Sequence, residues 1–293
     1  MQGAGASEVR GAWAAVAGVL AAAAVLLTLA APAPAVPGRS AAPAAPSRPA
    51  ASLRLADGTL VSCAARTDCA VWATALRRAE AALDPLLPAQ PPVGDVTVVA
   101  PTTAGQAALL GVATTDRPAA TTLVVGAGLI ARGLAPADQR GRTWIVVNPD
   151  VARAGGDLPT QVLTHELVHA RTRSAELAGP LWVEEGYAVA LTHRALGPGA
   201  GPVPPPSAAG AEAAALAAAA DSATVPAGAW PSDGWLPRTT DEYGVAGQIV
   251  TDLAARIGWD GVARWYAASE AGTGSLAAAR AELTRPDGLD QRG

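Results

Sequence analysis

The stretch from Thr160 to Val189 constrains the fold more than any other part of the chain. It contains the sequence His-Glu-Leu-Val-His from His165 to His169, in which a glutamate directly follows the first of two histidines. Residues four apart on an α-helix are neighbours on its surface, so both imidazole rings can reach one metal ion. Glu166 lies beside that face, close to where a water molecule on the metal would be. The stretch therefore predicts a helix that carries two ligands of a metal site.

A chance pair of surface histidines is the simpler interpretation of this pattern. The chain contains only three histidines, however, and two of them fall in the motif. The apolar residues around the pair predict a largely buried helix, in which histidines need partners. The third, His193, could also be a ligand, but nothing around it supports that role, and it is expected at a solvent-exposed helix end.

A glutamate on the following helix can complete the site. A catalytic zinc ion is held by three protein ligands and keeps one open position, and two histidines with one glutamate form a known ligand set. Gly179-Pro180 is expected to interrupt the helical structure. A second helix is predicted from Leu181 to His193, and it contains both Glu184 and Glu185.

The two helices together resemble those of the gluzincins, in particular the peptidase-MA-like domains, over Leu158 to Leu191. In those domains the HExxH helix is followed by Trp-x-x-Glu-Gly on the next helix, and this chain has that pattern from Trp182 to Gly186. The resemblance implies a zincin-like fold in which Zn²⁺ is bound by His165, His169 and Glu185.

Two departures limit the assignment within the zincins. A metzincin has glycine and histidine at the positions of Thr172 and Ala175, so that class is excluded. The gap between His169 and Glu185 is shorter than in the aminopeptidase-like gluzincins, which leaves the subfamily and the substrate open.

The resemblance implies a zinc metallopeptidase, a hydrolase that acts on a peptide or protein substrate. Zinc lowers the pKa of its bound water toward 7, and Glu166 would take the proton as general base and pass it to the leaving amine. The developing oxyanion needs a further donor, which the resemblance suggests is a tyrosine. Tyr243 is the candidate, with a half-buried packing tyrosine as the alternative, and Tyr187 is expected to pack beside the ligand. The strand TWIVVN, residues 143–148, is expected at a sheet edge, where it could hold substrate by strand addition.

A second interpretation is a zinc-stabilised binding or scaffold module on the cell surface, without catalytic activity. The Ala- and Pro-rich composition and the lack of a substrate signature permit it. A purely structural zinc site is usually closed by a fourth protein ligand and has no use for a general base. The presence of Glu166 therefore favours the enzyme.

The N-terminal part of the chain predicts export. Residues 11–31 are apolar and uncharged, and Arg10 is the only basic residue before them. About 20 apolar residues can span a bilayer, but the Ala-Pro-Ala sequences at positions 31–35 also fit a cleaved signal peptide. Both alternatives predict an extracytoplasmic protein, either secreted or membrane-anchored through residues 1–31. Residues 32–51 predict a Pro/Ala-rich linker, which leaves residues 52–293 for the metallopeptidase domain.

Two further features fit this prediction. The only two cysteines, Cys63 and Cys69, are expected to form a disulfide in an exported protein, with two buried thiols as the alternative. The net charge of −4 provides no basic surface for nucleic acid, so no nucleic-acid partner is expected.

The order of elements predicts an α+β fold, with a small N-terminal mixed sheet, then the HExxH helix, the ligand helix and a C-terminal helical part. The predicted strands are a hairpin around Asp57-Gly58 and residues 95–100, 121–125 and 143–148. The other predicted helices are residues 70–87, 103–110, 208–220, 241–257, 259–269 and 275–283.

Overall fold

The computed structural model describes residues 51–56, 59–87, 96–113, 118–172, 179–197, 230–237 and 240–285. The predicted signal or anchor segment, nearly all of the linker and the possible helix at 208–220 lie outside these residues. Within the part of the chain that is described, no helix is both long and apolar enough to cross a bilayer.

The described elements combine one small mixed sheet with a larger number of helices, which confirms the coarse α+β prediction. The strands are β1 (Ala51–Arg54), β2 (Leu60–Cys63), β3 (Val96–Ala100), β4 (Ala120–Val124) and β5 (Thr143–Val147). The helices are α1 (Arg66–Leu83), α2 (Thr103–Leu110), α3 (Ala127–Ala131), α4 (Pro149–Ala154), α5 (Leu158–Thr172), α6 (Leu181–Leu196), α7 (Thr240–Ala268) and α8 (Ser275–Leu283).

The chain divides into two compact units, and the division falls within α5. The first unit contains the sheet and extends to Glu166, and the second contains residues 80–88 and the chain from Leu167 onward.

The sheet of the first unit has the strand order β1-β2-β3-β5-β4. The predicted hairpin is confirmed, because β1 and β2 pair antiparallel on either side of the predicted turn. The pairs β2–β3 and β3–β5 are parallel, whereas β4 runs antiparallel to β5. The edge position expected for TWIVVN is therefore wrong: β5 is an interior strand, and its apolar residues are buried as such a strand requires. The edge strands of the sheet are β1 and β4.

The disulfide prediction is confirmed in this unit. The sulfur atoms of Cys63 and Cys69 lie at bonding distance, with their Cα atoms 5.6 Å apart. The bond joins the end of β2 to the first turns of α1. Trp72, Leu76 and Ala79 form the buried stripe of α1, whereas Val71 is exposed.

The second unit is built around the packing of α6 against α7. A Cβ atom on Gly186 would lie 2.7 Å from the backbone oxygen of Ala246, and one on Gly247 would lie 2.4 Å from a methyl carbon of Val189. The two glycines therefore permit a close approach of the helix backbones. Helix α7 is kinked at Gly258, whose φ is 69°, so the two separate helices predicted here are confirmed.

Candidate metal centre

The metal helix α5 is held in place by contacts along its length. Near its middle, Leu163 and Leu167 are fully buried. At the far end, Arg171 donates to the Asp84 carboxylate at 2.7 Å and to the Leu87 carbonyl at 3.1 Å. Helix α5 thus presents His165 and His169 on one fixed face.

Helix α6 supplies the third residue of the predicted set. It begins directly after Pro180, and Trp182 and Val183 in its first turn are fully buried. One turn further, the Oε2 atom of Glu185 lies 3.5 Å from Nε2 of His169. The burial of the first turn therefore fixes which way Glu185 points.

His165, His169 and Glu185 converge as the sequence predicted. Each offers one ligand atom, and these three atoms all lie within 4.8 Å of one another. A tetrahedral zinc ion with bonds of about 2.0–2.2 Å needs ligand atoms about 3.3–3.6 Å apart, and the 3.5 Å between Glu185 and His169 falls in that range. Two imidazole nitrogens and one carboxylate oxygen are a ligand set that fits zinc, and three such ligands would leave a fourth tetrahedral position for water or substrate. Among the described residues, His193 is not part of this cluster.

Glu166 faces the sheet and has a defined partner there. Its side chain is 4% exposed, and its Oε2 accepts a hydrogen bond of 2.7 Å from the hydroxyl of Thr122 on the edge strand β4. The same hydroxyl lies 3.1 Å from the backbone oxygen of Glu166. No feature of the sequence marks Thr122, because the contact joins positions that are 44 residues apart.

Further carboxylates surround His169 in the second unit. Burial is the main cause that raises the pKa of Glu184 to about 8, and the negative charge of Glu270 adds to it, whereas His169 acts in the opposite direction. Burial likewise raises the pKa of Glu270 to about 7, against the lowering influence of the Gly179 N–H and of His169. Among the described residues, no group makes a hydrogen bond of standard geometry to either Glu270 oxygen. No motif in the sequence around Glu270 marks it as a residue of the site.

Glu270 lies in a π-helical turn, Ser269–Thr273, that follows α7. Its carboxylate lies directly over Gly179, where a Cβ atom would come within 2.3 Å of Oε1. Gly179 precedes Pro180 at the start of α6, so the absence of a side chain there allows the carboxylate to approach the backbone.

The tyrosines occupy interior positions. Tyr243 is 2% exposed and lies in the first turns of α7, three residues before the Ala246 that contacts Gly186. Tyr243 is therefore more deeply buried than the half-buried packing tyrosine that was its alternative role. Its role as an oxyanion donor stays a prediction. Tyr187 stacks on Tyr266 with ring centroids 4.3 Å apart, so its predicted packing role is confirmed.

Comparison of the chain with protein-family models, curated proteins and solved structures finds no match. The interpretation of the site therefore rests on the residues and geometry of this chain.

Proposed function

We propose that the protein is a zinc-dependent metallopeptidase with a zincin-like fold. The observation that carries the proposal is the convergence of His165, His169 and Glu185 from two helices, with Glu166 next to the first ligand. Three protein ligands and an adjacent buried carboxylate are the arrangement that a catalytic metal site requires, whereas a structural site is closed by four ligands.

Each residue of the site has its own proposed role in peptide hydrolysis. His165, His169 and Glu185 would hold Zn²⁺, which when bound activates water and polarises the peptide carbonyl. Glu166 accepts a proton from the attacking water and then donates it to the amine that leaves. Tyr243 is the proposed donor to the oxyanion that develops on the carbonyl oxygen.

The proposed setting is extracytoplasmic, with the chain either secreted or anchored in the membrane by its N-terminal segment. The disulfide between Cys63 and Cys69 supports this setting, because such bonds persist in oxidising compartments. The proposed substrate is a peptide or protein.

The Glu166→Gln substitution tests the enzymatic proposal. It removes the general base but keeps the size and most of the polarity of the side chain, so zinc content should stay at one ion per chain. Hydrolysis should fall by about 100- to 10,000-fold, the usual contribution of a positioned proton-transfer group. The measurements are metal analysis of the purified full chain and turnover on casein and a peptide library.

Each result has a distinct meaning in this experiment. A wild-type protein that binds no zinc refutes the metal site. A wild-type protein that binds zinc but cleaves nothing refutes the peptidase and favours the zinc-stabilised binding module.

A further inference from the structure

We propose that Thr122 is a positioning residue for Glu166, an inference that rests on the proposed function of Glu166 as general base. The Thr122 hydroxyl donates to Glu166 Oε2 at 2.7 Å, the ordinary length of an O–H···O hydrogen bond. A hydroxyl has one hydrogen, and the backbone oxygen of Glu166 is farther away at 3.1 Å. The carboxylate is therefore the acceptor that this geometry favours.

The strand makes Thr122 a rigid anchor. Its backbone is paired with Ile145 of the interior strand β5, and Ile145 is fully buried. Threonine is branched at Cβ, which restricts its χ1 torsion more than that of an unbranched side chain. The oxygen of Thr122 consequently has a nearly fixed position in the first unit.

The glutamate has much more torsional freedom than its partner. Three side-chain torsions separate the Glu166 carboxylate from its backbone, and an error of about 1 Å in the position of a reacting group can reduce the rate about 100-fold. A hydrogen bond to Oε2 fixes the carboxylate plane and leaves Oε1 as the oxygen that can take the proton from water. Thr122 thus acts on the reaction through Glu166 and not through the substrate.

The burial of Glu166 makes this one contact more important. A carboxylate that is 4% exposed has little water to replace a lost partner, and an unsatisfied buried acceptor is unfavourable. Without the Thr122 hydroxyl, the carboxylate is expected to rotate toward whichever donors remain.

The neighbouring threonine provides a matched control. Thr121 precedes Thr122 on β4 and points to the opposite face of the sheet, where its hydroxyl donates to the Ala120 carbonyl at 2.8 Å. Both threonines are half-buried on the same strand. Substitution of either one by valine keeps the branched shape and strand propensity and removes one hydroxyl.

The experiment compares Thr122→Val, Thr122→Ser and Thr121→Val in the full chain. Thr122→Val should lower kcat by about 10- to 100-fold, because a misplaced general base loses part of its contribution to the rate. KM and zinc content should stay unchanged. Thr122→Ser keeps the hydroxyl and should retain most of the wild-type kcat. Thr121→Val should match the wild type in kcat. Thermal unfolding of all three variants separates a loss of folding from a loss of positioning.

The proposal is overturned if Thr122→Val has the kcat of Thr121→Val, or if Thr122→Ser falls as far as Thr122→Val. It is also overturned if the fall in kcat is accompanied by an equal loss of zinc, which would indicate a structural role. A wild type without peptidase activity is a different result, because it refutes the proposed function and removes the basis of the Thr122 proposal with it.

Discussion

At the scale of the residue, the carboxylate of Glu270 is held where its charge is disfavoured. The residue is 9% exposed, and its carboxylate lies against the backbone of Gly179 at the start of α6. Glu184 on α6 is a second, half-buried acid whose pKa is raised by burial and by the negative charges of Glu270 and Glu185. Both carboxyl groups are therefore hard to ionise beside His169.

Glu270→Gln should reduce the pH-dependent loss of stability in the metal-free protein. Burial raises the pKa of Glu270 from its ordinary value of 4.5 to about 7, so the folded state binds this proton more tightly than the unfolded chain does. The unfavourable contribution of Glu270 is absent below pH about 4.5, grows as pH rises to about 7, and is complete above that. Thermal unfolding in a chelator should give similar Tm values for variant and wild type at pH 4.5, and a higher Tm for the variant at pH 8.

Glu242→Gln, on α7, is the control for the loss of a negative charge elsewhere in the second unit. A Glu270→Gln protein whose Tm falls between pH 4.5 and pH 8 as steeply as that of the wild type would contradict the prediction.

At the scale of the element, the contact of α6 with α7 determines the position of Glu185. Gly186 follows Glu185 directly and lies against the backbone of Ala246, with no room for a side chain. Any group added at Gly186 must push the two helices apart, and Glu185 moves with α6 because it is part of the same helical turn.

Gly186→Ala should destabilise the protein by about 1–3 kcal/mol, the usual effect of overpacking a tight contact. It should also weaken zinc binding, because Glu185 is displaced relative to His169. Gly128→Ala on α3 is the control, since a Cβ atom there meets nothing within 4 Å and helical alanine is favoured over glycine. Denaturant unfolding and zinc titration of both variants measure the two effects, and a Gly186→Ala protein with wild-type stability and zinc affinity would contradict the prediction.

Elements set by local patterns could be predicted from the sequence, and their arrangement could not. Helix α2 begins and ends as predicted because Thr102 caps its start, accepting from the Gly105 N–H, and Gly111 ends it with a φ of 70°. The interior position of β5 depends on which strands pair, and no local signal encodes this.

The residues of the candidate site likewise differ in whether a local pattern in the sequence marks them. His165, His169 and Glu185 could be predicted because helical spacing and a family pattern mark them. Thr122 and Glu270 could not, because each is brought to the site by tertiary contacts with residues far away in the sequence.

At the scale of the whole molecule, zinc should stabilise the folded chain. The three ligand atoms converge only when α5 and α6 are both formed, so an ion that binds them favours the folded state over the unfolded one. At a free zinc concentration of 1,000 times Kd this linkage contributes about 4 kcal/mol.

Addition of zinc to the chelated protein should therefore raise Tm, and the increase should be lost in Glu185→Gln. Glu184→Gln is the matched control, since it changes the adjacent glutamate but leaves the three predicted ligands intact, and the increase should remain. Differential scanning calorimetry with and without zinc measures both. Equal zinc-induced increases in the two variants would refute Glu185 as a ligand.

The clustered tryptophans of the second unit are an intrinsic fluorescence probe. Trp182 lies one turn before Glu185, and its ring centroid is 5.5 Å from that of Trp230, 6.3 Å from Trp235 and 6.0 Å from Trp265. Indole emission depends on the distance and angle between neighbouring rings, so a small movement of α6 changes the fluorescence of this group. Events at the metal site can thus be followed in the native chain by its ultraviolet emission, without an attached dye.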